Sequence, residues 1–127
     1  MTDGFPSLPW AIQLQATANE DAEFAGAARW FDGSVFLRFG SAAYWMKIYG
    51  GRVIDVQAGP SPLGFTFAIG GEESVWRELL RDPRNRFLEF AAAGRLSVEG
   101  NLLEYMRITK AVIRLIEAAR KIGEARP

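Results

Sequence analysis

From Ser34 to Ile69 apolar side chains recur at alternate positions, whereas on both flanks they recur every third or fourth residue. Alternation is the period of a β-strand, and the longer repeat is that of an α-helix. A chain with strands at its centre and helices at its ends buries both sets of apolar faces most simply by laying helices on one sheet. Ser34 to Phe39 sets Val35, Leu37 and Phe39 against Phe36 and Arg38. Ala43 to Tyr49 sets Tyr44, Met46 and Ile48 against Trp45, Lys47 and Tyr49. Gly50-Gly51 reads as a two-residue hairpin turn into a third strand, Arg52 to Ala58. After a loop at Gly59-Pro60-Ser61-Pro62, a fourth strand alternates Leu63, Phe65, Phe67 and Ile69 with Gly64, Thr66 and Ala68. Apolar residues on both sides of several strands imply that both faces of the sheet are partly covered.

The flanks supply the helices. Ser7 caps a first one, with Pro9 in its opening turn and Trp10, Leu14 and Thr17 successively one turn on. Ala22 to Trp30 follows, directing Phe24, Ala27, Ala28 and Phe31 to the core, and Asp32-Gly33 turns the chain. Beyond Gly70-Gly71, Glu72 and Glu73 open a helix whose apolar stripe is Val75, Trp76, Leu79 and Leu80. Asp82-Pro83 restarts the chain as cap and first position of a helix through Phe87, Leu88, Phe90 and Ala91, closed by Gly94. Arg95 to Glu99 is a short fifth strand. Asn101 with Glu104 then starts a last helix running to Ile122, with Leu102, Leu103, Met106, Thr109, Val112, Ile113, Ile116 and Ala119 on its apolar face. The expected fold is α+β: a single, mostly antiparallel five-stranded sheet with helices packed against it. One domain is expected over residues 1–127, with a helical region over 1–30 and sheet plus helices over 31–127.

What the chain lacks narrows its chemistry. Its 127 residues include no His and no Cys. That removes Ser-His-Asp and Cys-His nucleophiles, histidine and thiolate metal sites, and disulfides. Fifteen basic residues balance fifteen acidic ones, so nothing draws a polyanion and nucleic acid is not an expected partner. No run of apolar residues is long enough to span a bilayer, and Met1-Thr2-Asp3-Gly4 lacks the basic start of a signal peptide. The expected location is cytoplasmic. Lys47 and Asp55, on neighbouring strands, read as a cross-strand ion pair and not as an acid–base couple. Gly59 to Gly64 lacks the Lys-Ser/Thr ending of a phosphate loop, and Glu72-Glu73 is explained by the helix dipole without a metal. No catalytic residue, cofactor or metal is expected.

The stretch Ala91 to Glu104, AAAGRLSVEGNLLE, has a small residue and Gly closing a helix, a strand of the form Arg-Leu-x-Val-Glu, and Gly plus a polar residue opening the last helix. It resembles the signature of the sterol carrier protein (non-specific lipid-transfer) family. The Gly59-Pro60 turn, the Val75 to Leu80 helix and the hairpin Trp45 to Val53 fit the same layout, so the resemblance runs from Phe31 onward. Members of that family bind fatty acids, acyl-CoA or sterols in an apolar tunnel between sheet and helices. The resemblance implies that use here: non-catalytic binding, and transfer, of a lipid or similar hydrophobic small molecule. On this reading the tunnel is lined by Phe36, Trp45, Met46, Phe65, Phe67, Phe90, Leu102, Met106 and Ile113. The Trp- and Phe-rich hairpin and the long N-terminal helical region depart from the family and narrow or reshape the tunnel. The ending Glu124-Ala125-Arg126-Pro127 lacks the peroxisomal targeting tail of some members.

Magnitudes constrain such a tunnel. Left unfilled, ~300 Å³ would cost about 7 kcal/mol at ~24 cal/mol per Å³, comparable with a domain's whole net stability of ~5–15 kcal/mol. It is therefore expected to be lipid-filled or partly collapsed. Ten buried methylenes contribute roughly 8 kcal/mol, of which association entropy offsets several, leaving micromolar affinity. The last helix offers a second feature. From Leu102 onward Arg107, Lys110, Arg114, Arg120, Lys121 and Arg126 outnumber Glu104, Glu117 and Glu124. Such a C-terminal helix suits transient contact with a membrane surface or a lipid-using enzyme; the plainer reading is a solvated face with pairs such as Glu117–Lys121. The alternative function is an accessory subunit without its own ligand, docking a partner enzyme through exposed aromatics such as Trp10 or Trp30.

Overall fold

Two helices, α1 (Leu8–Asn19) and α2 (Ala22–Ala27), precede four strands, β1 (Asp32–Phe39), β2 (Ala42–Tyr49), β3 (Arg52–Ala58) and β4 (Phe67–Gly71). Then come α3 (Glu73–Arg81), α4 (Phe87–Ala92), β5 (Ser97–Gly100), α5 (Leu102–Arg107) and α6 (Thr109–Glu124). The structure, a computed structural model, describes residues 4–124. The readings placed on residues 1–3 and 125–127, Arg126 among them, lie outside the described residues, as does the side chain of Glu124.

The sheet runs β3-β2-β1-β4-β5. Neighbours are antiparallel except β1 and β4, which pair in parallel from Val35↔Phe67 to Phe39↔Gly71. This order has one consequence that decides the shape of both faces. The chain leaves β3 at one edge and must cross β2 and β1 to reach β4. The helices occupy one face, so the connection, residues 59–66, crosses the other. Strand alternation then divides the core. Val35, Leu37, Phe39, Tyr44, Met46, Ile48, Phe67 and Ile69 join the helices in the main cluster, while Phe36, Trp45 and Ala68 form a small one beneath the crossover.

Local devices match their residues. Ser7 accepts the Trp10 N–H, Asp21 those of Glu23 and Phe24, and Asn101 that of Glu104, each capping a helix. Gly50 and Gly51 both have positive φ, 60° and 79°, as the tight β2–β3 turn demands. Gly94, φ 76°, closes α4: its N–H bonds the Ala91 carbonyl and that of Arg95 bonds Phe90.

Several expectations are corrected. The fourth strand begins only at Phe67, because Leu63 and Phe65 belong to the crossover. Residues 83–86 form a turn, with the Asp82 carboxylate accepting the Arg84 N–H at 3.0 Å, and α4 starts at Phe87. The last helix is two helices. The Thr109 hydroxyl donates to the Tyr105 carbonyl at 2.8 Å, and the chain bends at Ile108. Lys47 faces Asp55 in register but pairs with Asp32 at 2.7 Å, and Glu117 takes Arg120, not Lys121, at 2.8 Å. Trp10 is 3% exposed and Trp30 87%, so only the second of these aromatics is free to meet a partner.

Candidate ligand-binding site

Between sheet and helices lies an apolar cavity of about 10 Å³. The sheet presents Leu37 and Phe39 to it, α1 presents Trp10 and Leu14, α3 presents Trp76 and Leu80, and α6 presents Leu115, Ile116 and Ala119. Each set follows from its element's period: alternate residues of β1, and residues three or four apart on the helices. The cavity is small because aromatic rings close on one another. Phe39 meets Trp76 edge-on at 4.7 Å, Phe5 at 5.0 Å and Trp10 at 5.4 Å between ring centroids. The Trp76 indole N–H is satisfied by the Arg38 carbonyl at 2.8 Å, so the deepest ring leaves no polar atom unpaired.

This cavity adjoins the surface. A cleft of about 300 Å³ has Trp10, Leu80 and Ala119 as walls, the same residues that bound the cavity, and adds Phe5, Ile122, Arg77 and Arg81. Phe5 stands between the two, 4.8 Å from the Trp10 ring. Its segment is held by two donors: Arg77 Nη2 reaches the Phe5 carbonyl at 3.0 Å, and the Tyr44 hydroxyl donates to the Pro6 carbonyl. Burial raises the Tyr44 hydroxyl's pKa above its ordinary value, which keeps it a donor. Arg77 also pairs with Glu73 at 2.7 Å. The neighbouring carboxylates look elsewhere. Glu78 pairs with Arg95 at 2.6 Å and Asp82 with Arg86 at 3.3 Å. Hydrogen bonding to Arg95 holds Glu78 below its ordinary pKa, and the Arg84 N–H, with Arg86, does the same for Asp82.

The nine residues expected from the sequence do not line one space. Met46, Phe67 and Phe90 are buried in the sheet–helix core. Phe36 and Trp45 lie on the opposite face; there Phe65 stacks on Phe36 at 5.8 Å, and the Trp45 indole donates to the Gly64 carbonyl at 2.8 Å. Leu102 and Met106 lie on the outer side of α5, Met106 71% exposed, because that short helix packs on the core through Tyr105, whose ring meets Phe67 at 5.4 Å. Ile113 is half-buried beside Asn85 and Leu88. The residues that do surround the cavity come largely from helix stripes legible in the sequence, Trp10–Leu14 and Trp76–Leu80; that they converge on Leu37 and Phe39 was not legible. The basic residues of the C-terminal region divide: Arg107, Lys110 and Lys121 are exposed, whereas α6 buries its apolar side and two of its arginines are paired. Arg114 pairs with Asp21 at 2.9 Å, and Arg120 is 7% exposed against Glu117.

No protein-family model matches the chain, and no curated protein matches it in sequence. Solved structures do. A crystal structure of sterol carrier protein 2 superposes with a TM-score of 0.77 at 21% identity, over 89% of this chain and 95% of that one. A conserved hypothetical protein of Thermus thermophilus gives 0.74 at 20%, over 94% and 90%. The chain has the sterol carrier protein 2 fold. The same fold is found in the UbiJ-SCP2 ubiquinone synthesis protein, with a TM-score of 0.60 at 19% identity, over 91% of this chain and 94% of that one. Among the described residues no helix is long and apolar enough to cross a membrane.

Proposed function

We propose that the protein binds a hydrophobic ligand (a fatty acid, acyl-CoA, sterol or similar lipid) between its sheet and helices, and carries it without chemical change. The observation behind this reading is that the apolar cavity and the surface cleft share Trp10, Leu80 and Ala119. A tail enters by displacing the Phe5 ring and parting Trp10 from Phe39. Rings that close on one another avoid the cost of an open void, and a tail that replaces them regains contact along its length. The likeness to sterol carrier protein 2 supports this use of the interior. Met46, Phe67 and Phe90 stay in the proposal as part of that interior. Phe36, Trp45, Phe65, Leu102, Met106 and Ile113 do not.

Organic extraction of the purified protein followed by mass spectrometry is expected to yield stoichiometric lipid. Titration with cis-parinaric acid is expected to quench tryptophan emission saturably in the micromolar range. Absence of both bound lipid and saturation overturns the proposal.

A second reading has its own observation. Leu102, Leu103 and Met106 are exposed on α5, and Trp30 is exposed beside a cleft that Glu104 and Arg107 of the same helix line. This suits an accessory subunit docking a lipid-using enzyme, and the likeness to a ubiquinone synthesis protein supports it. A partner-dependent shift in size without lipid binding would favour it over the carrier.

A further inference from the structure

We infer that the cleft beside α1 is the head-group end of the site and selects a ligand with an anionic head, a carboxylate or a phosphate, over neutral lipids. The inference rests on the carrier reading and sharpens it to a ligand class. The cleft's lining, among the described residues, includes two guanidinium groups and no carboxylate. Arg77 and Arg81 lie four apart on α3, hence on one stripe of that helix, with Leu80 beside them walling both cleft and cavity. A ligand with its tail against Leu80 and Trp10 therefore has its head at these two side chains.

The surrounding ion pairs assign the two arginines different tasks. Arg77 is engaged by Glu73 and by the Phe5 carbonyl, and its guanidinium sits 5.2 Å from the Phe5 ring centroid, so it positions the entrance segment. Among the described residues Arg81 has no carboxylate partner, and it is the cation left to meet the head. The two acids nearest it in sequence, Glu78 and Asp82, are already committed to Arg95 and Arg86. Arg81 is exposed at the rim of this cleft and also borders a neighbouring one with Glu78 and Asp82. Its guanidinium can donate a paired, charge-assisted hydrogen bond to a carboxylate or phosphate. A neutral sterol hydroxyl or ester gains no such bond, and entering the cleft would partly dehydrate the cation.

Two pairs of probes, matched in chain length within each pair, test this: cis-parinaric acid against its methyl ester, and dodecyl phosphate against dodecanol as competitors. The acid and the phosphate are expected to bind about tenfold tighter than their neutral partners, a ratio that shrinks as salt rises. In Arg81→Gln that ratio falls towards one, while Arg84→Gln, on the turn outside the cleft, keeps it. Unchanged far-UV circular dichroism shows that Arg81→Gln is folded. Preference for the phosphate alone assigns the site to phosphorylated heads, and equal preference for both anions assigns it to any anionic head. Saturable binding with equal affinity for acid and ester, or a preference that survives Arg81→Gln, overturns the head-group assignment and leaves the carrier reading standing. Failure of every probe to saturate overturns both.

Discussion

The two faces of the sheet are built from similar side chains and do different work. On the helix side Leu37, Phe39 and Tyr44 meet Trp10, Trp76 and the apolar face of α6, and the interior shares Trp10, Leu80 and Ala119 with a surface cleft. On the other side Phe36 and Trp45 are sealed by a crossover that sheet order forces over them and that is pinned by Gly64 and Phe65. Both faces bury aromatic rings. Only the first is bounded by several separate elements, which can part by small movements of whole helices. Clusters of similar composition thus differ in how many independent elements enclose them, and that difference decides which can loosen without breaking the sheet.

Four substitutions can break or sharpen this contrast. The largest effect is expected on the helix side, where Trp76→Ala removes a fully buried ring and its hydrogen bond to the Arg38 carbonyl. It should cost about 3–5 kcal/mol in denaturant unfolding. A loss no greater than that of Phe36→Ala would erase the energetic difference between the faces.

Next is Asp21, which ties the helix layer together by capping α2 and pairing with Arg114 of α6 at 2.9 Å. Asp21→Ala should cost about 2–3 kcal/mol, combining a lost cap with a partly buried ion pair. Burial pushes this carboxyl up, but its bonds to Arg114 and to the Phe24 and Glu23 N–H groups outweigh that and leave its pKa below the ordinary 3.8. A depressed folded-state pKa contributes stability that is full above the unfolded value and lost as pH falls through the folded one. Hydrogen-exchange protection factors at α2 and α6, taken relative to the intrinsic rate at each pH, should therefore fall below about pH 4 in the wild type before those of residues 59–66, and that acid step should be missing in Asp21→Asn.

Phe36→Ala should cost about 2 kcal/mol, since the gap lies under a half-exposed Phe65 that can settle into it. Its lipid titration should match the wild type, and a weakened titration would place the ligand on the crossover side. Phe5→Ala is the mildest, about 1 kcal/mol, because Phe5 is only partly buried. Stopped-flow loading with cis-parinaric acid should nonetheless be faster, and unchanged loading would remove Phe5 as the entrance plug.

Much of the fold was legible in the sequence because it depends on neighbours along the chain. The caps at Ser7 and Asn101, the Gly50-Gly51 turn and the Gly94 stop are short-range chemistry, and each acts as its residues predict. The inward row Val35, Leu37 and Phe39 was equally plain from its period. The candidate site was much less legible. Residue type alone brings together Phe36 and Trp45 from the face opposite the cavity, and Leu102 and Met106 from the exposed side of α5. Alternation separates the two sides of a strand but does not say which side the helices take.

By itself, then, the chain of residues determined the period of every strand and long helix, the positions of most turns and the absence of histidine and thiol chemistry. Tertiary structure alone decided that β4 lies parallel to β1, that the 59–66 crossover seals one face, and that α1, α3 and α6 meet over Leu37 and Phe39 beside a cleft bearing Arg77 and Arg81. The physical reason is range. A hydrogen-bonded turn or cap is set by residues a few positions apart. A cavity is instead the space left where side chains distant in sequence stop short of one another, and its place depends on every packing choice at once.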